Sequence, residues 1–211
     1  MTDTSIVRGN DSDADDGAGA GAGGALARPS RWIYGVTAVA VFVWAVLWTD
    51  VWAWPAFAVL AWAWGAGTAQ DLAQHRLWDR FTLLPFGVFV VLLVVPAAVH
   101  GDWGRWGMTI VAGLITATVL FVIAFINPAG FGLGDVKLGL TTGAALGWIG
   151  VGWPGVLLAL LGTVAAFVLM AVVGVVLLAT RVARRDTDVA FGPFMVLGVL
   201  VAPWVAGLLA G

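Results

Sequence analysis

The amino-acid sequence predicts an all-α protein: a polytopic transmembrane bundle of about seven helices. Of its 211 residues, 61% are hydrophobic and 10% are charged, and the mean hydropathy is +0.99. Soluble domains carry about 25% charged residues, and a soluble particle of this size could not remove so much apolar area from water. The apolar residues also recur in runs of roughly 20, the length that crosses a hydrocarbon core as a helix.

The first 29 residues differ in composition from the rest of the chain. The stretch "NDSDADDGAGAGAGGA" is acidic and rich in glycine and alanine, so it cannot bury enough apolar surface to fold. Its acidic residues also stand where a secretory signal would have a basic segment. We therefore predict a disordered cytoplasmic tail over residues 1–29 and a membrane-embedded domain over residues 30–211.

Seven hydrophobic stretches follow the tail. The predicted helices cover residues 32–49, 52–70, 81–99, 106–126, 136–152, 154–180 and 191–210. The fifth helix is the shortest. Pro154 and the glycines around it predict a tight turn before the sixth helix, and one long broken helix is the alternative.

The basic residues predict the orientation of the bundle, because cytoplasmic segments of membrane proteins carry an excess of lysine and arginine. With the N-terminus inside, only Arg105 falls on the outer side. The other nine basic residues fall inside: Arg8, Arg28, Arg31, Arg76, Arg80, Lys137, Arg181, Arg184 and Arg185. We expect a plasma-membrane protein with a cytoplasmic N-terminus and an outer C-terminus.

Composition excludes several classes of site. The chain has no cysteine and two histidines, which leaves no thiolate nucleophile or disulfide and too few ligands for a common zinc centre. A Ser/His/Asp site is disfavoured because no serine follows Ser30. Nucleic-acid binding would need a basic stripe, and the sequence has none. No metal or cofactor is expected.

Three aspartates remain as candidates for chemistry after those of the tail and loops are set aside: Asp71, Asp79 and Asp135. Asp71 closes the second predicted helix, and Asp135 opens the fifth. Ionisable groups at membrane-helix boundaries are costly and are by default functional candidates. The alternative is a solvated carboxylate, which at Asp135 would also be favoured by the helix dipole.

Two glycine patterns accompany Asp135. Alternate glycines precede it, at Gly130, Gly132 and Gly134. We expect this segment to adopt backbone conformations closed to other residues and to line a cavity. Glycines every fourth residue follow it, at Gly139, Gly143 and Gly147. This pattern predicts tight helix packing, which we expect to bring Asp135 close to the helix that carries Asp71.

Two carboxylates held a few ångströms apart cannot both ionise easily. One keeps its proton while the other activates a water molecule, as in aspartic proteases. Because such a pair titrates as a unit, the sequence does not say which aspartate is the acid and which is the base.

The segment "FGLGDVKLGL" resembles the GxGD signature of the type IV prepilin peptidases, membrane aspartic proteases that remove the leader peptides of prepilins. In that family the first catalytic aspartate opens a segment D-L-x-x-x-x-I/L-P-N/D. Asp71, Leu72, Leu77 and Asp79 keep this spacing, with Trp78 where the family has proline. The segment "VAFGPFMVLGVLVA" is similar to the family's F/Y-G-P element at the start of its last helix. The resemblance covers residues 52–210.

The resemblance implies that Asp71 and Asp135 are the catalytic pair of an aspartic endopeptidase. Six further residues would shape the site or bind substrate: Gly132, Gly134, Lys137, Gly192, Pro193 and Asp79. Lys137 could instead be a snorkelling interfacial lysine. The Gly192–Pro193 pair could instead only set a helix start.

The resemblance also implies the reaction and its partners. The substrates would be pilin-like membrane proteins, bound from the lipid bilayer. Family members that also methylate the new pilin terminus carry a cysteine-rich cytoplasmic domain, which this chain lacks. We therefore expect cleavage without N-methylation, as in the shorter enzymes that serve tight-adherence (Flp) pili or archaeal pilins.

Three other functions remain open at the level of sequence. A presenilin-like protease shares GxGD, but it would show a Y-D motif and a late P-A-L segment, whereas Gln70 precedes Asp71 and the late motif reads "FGPF". A small transporter or channel would use Asp71 and Asp135 as proton or cation sites near the bilayer midplane. An inactive homologue in pilus assembly is the third.

Overall fold

The computed structural model describes residues 31–74, 82–126, 132–180 and 190–210. Every regular element in these ranges is an α-helix. In chain order the helices are α1 (Arg31–Trp48), α2 (Trp54–Gln74), α3 (Leu83–Leu92), α4 (Val94–His100), α5 (Trp103–Ile126), α6 (Leu133–Gly150), α7 (Trp153–Ala179) and α8 (Gly192–Ala210). The predicted all-α bundle is confirmed. The predicted tail lies outside the described residues.

Helices α3 and α4 replace the single helix predicted over residues 81–99. They meet at Leu93, whose N–H still donates to the carbonyl of Phe89 at 3.0 Å. Pro96 accounts for the break, because proline has no N–H to donate to the carbonyl of Leu92 and its ring crowds that carbonyl. Counted as one broken helix, α3 and α4 bring the described bundle to the predicted number of seven.

Among the described residues, four helical stretches are long and apolar enough to cross a membrane: Leu83–His100, Trp103–Ile126, Trp153–Ala179 and Gly192–Ala210. The apolar part of α1, Trp32–Trp48, is shorter. Helix α6 is richer in glycine and threonine, and ten of its 18 residues are buried. The chain is therefore a membrane-embedded bundle whose more polar helix is enclosed by more apolar ones, which keeps its polar groups away from lipid.

The glycine repeat of α6 packs against α5. A side chain at Gly143 would meet Thr116 and would lie 2.9 Å from the carbonyl oxygen of Ala112. At Gly147 it would lie 2.5 Å from the Cβ of Ala112, and at Gly139 it would meet Leu120. The predicted tight packing is confirmed. The expectation that this repeat draws α6 toward Asp71 is wrong, because the glycines face α5 and not α2.

A tight turn joins α6 to α7, so the alternative of one long broken helix is wrong. Gly152 has φ +67° and Val151 has φ +50°, backbone angles that end a right-handed helix. A Cβ on Gly155 would lie 2.5 Å from the carbonyl oxygen of Gly147. The two helices therefore approach each other backbone to backbone at the turn.

Polar contacts connect the loops at one end of the bundle. His100 Nε2 lies 3.6 Å from Asp50 Oδ1. The Arg105 side chain donates to the carbonyl of Trp148 at 2.7 Å, and its backbone N–H donates to Asp102 Oδ1 at 3.0 Å. These contacts place the α1–α2 loop, the α4–α5 loop and the last turns of α6 at the same end, so α2 and α6 run in opposite directions.

Candidate functional site

Asp71 is a buried carboxylate in the last turns of α2, with 6% of its surface exposed. Its Oδ2 accepts a hydrogen bond from the backbone N–H of Gly192 at 3.0 Å. Gly192 begins α8, so this N–H has no partner within the helix, and the positive end of the helix dipole favours a negative charge there. The carboxylate of Asp71 therefore caps α8.

Gly192 leaves no room for a side chain at this contact. A Cβ there would lie 2.7 Å from Asp71 Oδ2 and 3.6 Å from Leu138 Cδ2 of α6. The space beside Gly192 is therefore bounded by α2, which carries Asp71, and by α6, which carries Asp135. Leu138 follows Asp135 by three residues and lies on the same side of α6.

Asp135 lies in the first turn of α6 and is half-buried. Its depth in the bundle can be compared with that of Asp71 through a buried contact between α2 and α6, where Trp64 Nε1 donates to Thr141 Oγ1 at 3.0 Å. Asp71 is seven residues beyond Trp64 and Asp135 is six residues before Thr141. With a rise of 1.5 Å per residue, the two aspartates lie about 10 Å and about 9 Å from this contact along antiparallel helices. The two aspartates therefore lie at about the same depth in the bundle.

The negative charge of Asp71 affects the pKa of Asp135. Asp135 precedes the apolar part of α6 and lies outside the four stretches that are long enough to span the membrane. Burial, and then the negative charge of Asp71, raise the pKa of the Asp135 carboxyl to about 6, while a backbone hydrogen bond from Gly132 opposes the shift. Below this pH the pair holds a proton on Asp135, an arrangement that supports general acid–base chemistry.

The glycines that precede Asp135 behave differently from the expectation. Gly132 is the N-cap of α6 with φ −85° and ψ 147°, an extended conformation that any residue adopts. A Cβ there would make ordinary contact with Asp135 Oδ2 at 3.6 Å. Gly134 is helical, and Gly130 lies outside the described residues. The expectation that the backbone conformation at position 132 requires glycine is therefore wrong.

The remaining candidates fall around this end of the bundle. Lys137 is half-buried in α6, and a residue two positions after Asp135 does not share its helix face. Pro193 is the second residue of α8. Asp79 and Trp78 lie outside the described residues, so the second half of the predicted D-L-x-x-x-x motif has no structural account. Within the described part of the chain, no cluster of three or more acidic or histidine residues could hold a metal ion.

Sequence reasoning missed an apolar cleft beside Asp71, which we call the α1–α8 cleft. It has a volume of about 340 Å³ and lies between α1, α2 and α8. Residues that line it include Val36, Ala40, Thr68, Leu72, Pro193 and Leu197. Thr68 and Leu72 flank Asp71 along α2, so the cleft lies beside the part of α2 that carries Asp71. Hydropathy could not reveal it, because its lining is as apolar as a lipid-facing surface.

Comparison with known proteins assigns no family to the chain. No protein-family model, curated protein or solved structure matches it. The resemblance to the type IV prepilin peptidases therefore rests on the three sequence elements that contain Asp71, Asp135 and Gly192.

Proposed function

We propose that this protein is an aspartic endopeptidase that removes the leader peptide of type IV prepilin-like substrates at the cytoplasmic face of the plasma membrane. The observation that carries the proposal is the placement of Asp71 and Asp135 at similar depth at one end of the bundle, with the Asp71 carboxylate hydrogen-bonded to the N-terminus of α8. Two carboxylates from different helices that hold one proton between them are the chemical requirement of an aspartic protease.

The reaction needs one ionised and one protonated carboxyl. The ionised carboxylate takes a proton from a water molecule, whose oxygen then forms a bond to the scissile carbonyl carbon. The protonated carboxyl donates to the carbonyl oxygen, and the tetrahedral species collapses as the C–N bond breaks and the amine takes a proton. In the free enzyme, Asp135 is the better candidate for the protonated partner, because burial and the charge of Asp71 disfavour its ionised form.

The position of the pair favours cleavage at a membrane boundary over transport. Both aspartates belong to the terminal turns of their helices, whereas a transporter site is expected near the bilayer midplane. The excess of basic residues on this side of the chain supports a cytoplasmic location. A pilin-like substrate keeps its apolar helix in the bilayer and exposes its leader at the same boundary.

The test is co-expression with a pilin-like membrane protein encoded in the same genome, with leader removal read from a gel shift and from the mass of the new N-terminus. We expect Asp71→Asn and Asp135→Asn each to abolish cleavage, because either change removes one half of the pair. The new terminus should carry a free, unmethylated amine.

Asp50→Asn is the matched control. Asp50 lies at the opposite end of the bundle, where its Oδ1 accepts a hydrogen bond from the backbone N–H of Trp52 at 3.0 Å, and the amide oxygen of asparagine can still accept this bond. We expect the variant to cleave as the wild type does. Full activity in Asp71→Asn or Asp135→Asn would refute the proposal.

A further inference from the structure

The two helices that carry the aspartates pack mainly against other neighbours. Helix α2 lies mainly against α1 and α3, and α6 lies mainly against α5 and α7. One hydrogen bond between side chains joins α2 to α6, because Trp64 Nε1 donates to Thr141 Oγ1 at 3.0 Å. Trp64 is 1% exposed and Thr141 is 0% exposed, so the bond lies where neither water nor lipid reaches it. We call this contact the Trp64–Thr141 bridge.

The Thr141 hydroxyl both accepts and donates in this contact. It accepts from the indole of Trp64 and donates to the carbonyl of Leu138 at 2.9 Å. The indole N–H can only donate, so the hydroxyl is held in one orientation. An N–H···O bond spans about 2.7–3.2 Å, and a slide of α2 along α6 by one residue, about 1.5 Å, would break it. The bridge therefore fixes the register of α2 against α6.

Both helices lead from the bridge to the aspartate pair. On α2, Asp71 follows Trp64 by seven residues, which is close to two full turns, so the two residues share a helix face. On α6, steps of three residues lead from Thr141 to Leu138 and from Leu138 to Asp135, and residues three apart are neighbours on a helix surface. The depth of each aspartate is therefore set within two turns of the same contact.

A second contact closes a ring around this end of the bundle. The side chain of Leu138 lies beside Gly192, and the N–H of Gly192 donates to Asp71. The ring runs from α2 through the Trp64–Thr141 bridge to α6, from Leu138 to α8, and back to Asp71 on α2. Breaking the bridge therefore leaves Asp71 attached to α8 while α2 can change its register against α6.

We propose that Trp64 and Thr141 are positioning residues, whose bridge sets the depth of Asp71 relative to Asp135 so that both carboxyl groups reach one water molecule. The inference rests on the proposed peptidase function and identifies how its catalytic pair is aligned. The alternative is a bond that only stabilises the fold. Trp106 offers the comparison, since its indole donates to the carbonyl of Val90 at 2.9 Å and joins α5 to α3, neither of which carries an aspartate of the pair.

Steady-state cleavage by the purified protein in detergent tests the role of the hydroxyl. Thr141→Val keeps the branched shape and leaves the buried indole N–H without its acceptor. We expect kcat to fall about 10- to 100-fold, because a misplacement of about 1 Å can cost about 100-fold in rate. The KM should change little, because no contact with the substrate is lost. Thr141→Ser keeps the hydroxyl, and we expect it to restore a kcat close to that of the wild type.

Thr109→Val is the matched control. Thr109 is also 1% exposed, but its hydroxyl donates within α5, to the carbonyl of Arg105 at 2.9 Å. We expect its kcat to match the wild type. Equal losses of kcat in Thr109→Val and Thr141→Val would overturn the inference, because any buried threonine would then have the same effect. A loss in Thr141→Ser as large as that in Thr141→Val would overturn it as well.

A distance measurement does not depend on cleavage. The chain has no cysteine, so spin labels can be attached at Leu72→Cys on α2 and Leu133→Cys on α6, both exposed positions. Double electron–electron resonance then gives the distribution of distances between the two helices. We expect Trp64→Phe and Thr141→Val each to shift or broaden this distribution, and Trp106→Phe to leave it as in the wild type.

The two variants break the same bond from opposite sides, so either one carries the test if the other does not fold. An unchanged distribution in Trp64→Phe and Thr141→Val would overturn the inference and leave the peptidase proposal intact. An altered distribution with a wild-type kcat would also overturn it, because catalysis would then not depend on the register. An altered distribution in a protein that never cleaves would support the role of the bridge in setting the depth of the pair and would refute the peptidase proposal.

Discussion

Replacing Gly192 by alanine should displace the Asp71 carboxylate. The added Cβ would lie 2.7 Å from Asp71 Oδ2 and 3.4 Å from its Cγ, and the first of these distances is shorter than real Cβ contacts. Asp71 or the start of α8 must therefore shift, which stretches or breaks the 3.0 Å hydrogen bond from the Gly192 N–H. A hydrogen bond to a charged acceptor is worth about 1.5–3 kcal/mol, so we expect a loss of unfolding free energy of that size.

The effect on catalysis should be larger than the effect on stability. A displacement of about 1 Å in a reacting group can cost about 100-fold in rate, so kcat/KM for leader cleavage should fall by about that factor in Gly192→Ala. The two quantities are measured on the purified protein in detergent, by reversible denaturation and by the cleavage assay.

Gly207→Ala provides the matched control in the same helix. A Cβ at Gly207 would meet nothing within 4 Å, and alanine is a better helix former than glycine by up to about 1 kcal/mol. We expect this variant to be as stable as the wild type or slightly more so, with full activity. If Gly192→Ala matched Gly207→Ala in stability and activity, the close contact between Gly192 and the Asp71 carboxylate would be refuted.

Two further predictions concern the pair's proton and the packing of α6. Because the pKa of Asp135 is raised from 3.8 to about 6, its contribution to stability is fully present below about pH 4 and is lost as the pH rises through about 6, by about 3 kcal/mol in total. Asp135→Asn, which stays neutral, should remove this pH dependence of the unfolding free energy, and an unchanged pH profile would contradict the coupling. Gly143→Ala should lower the unfolding free energy by about 1–3 kcal/mol, because its Cβ would meet Thr116 and lie 2.9 Å from the Ala112 carbonyl oxygen. Gly174→Ala, whose Cβ would meet nothing within 4 Å, is the control, and equal stability of the two variants would refute the tight α5–α6 contact.

The sequence predicted the helices well, because apolar runs of membrane length are separated by glycine, proline and polar residues. It missed the break at Leu93, although Pro96 was visible, because an apolar stretch that contains a proline reads as one continuous run. It correctly predicted tight packing at Gly139, Gly143 and Gly147. The expected partner was α2, whereas these glycines pack against α5. A repeat of small residues shows where a helix allows close approach, and the identity of the partner depends on the whole bundle.

In the candidate site, too, local sequence patterns predicted some features, whereas others depend on contacts between residues distant in sequence. The boundary positions of Asp71 and Asp135 follow from hydropathy, because each stands where an apolar run ends or begins. The Thr68 hydroxyl has no hydrogen-bond partner in the described part of the chain, and this does not follow from the sequence, since Thr116 and Thr163 each donate to a carbonyl of their own helix. The cleft beside Thr68 depends on the angle between α1 and α8, which no local pattern encodes.

The Gly192–Pro193 pair has a physical explanation that the sequence alone did not supply. Proline has no backbone N–H, so of the first two residues of α8 only Gly192 can donate to the Asp71 carboxylate. Glycine is needed there because the oxygen that accepts this bond occupies the space of a Cβ. The bond joins residues 121 positions apart, and Leu138 brings α6 against the same point. The dipeptide therefore does more than start a helix: it fixes the carboxylate of Asp71 beside the helix that carries Asp135.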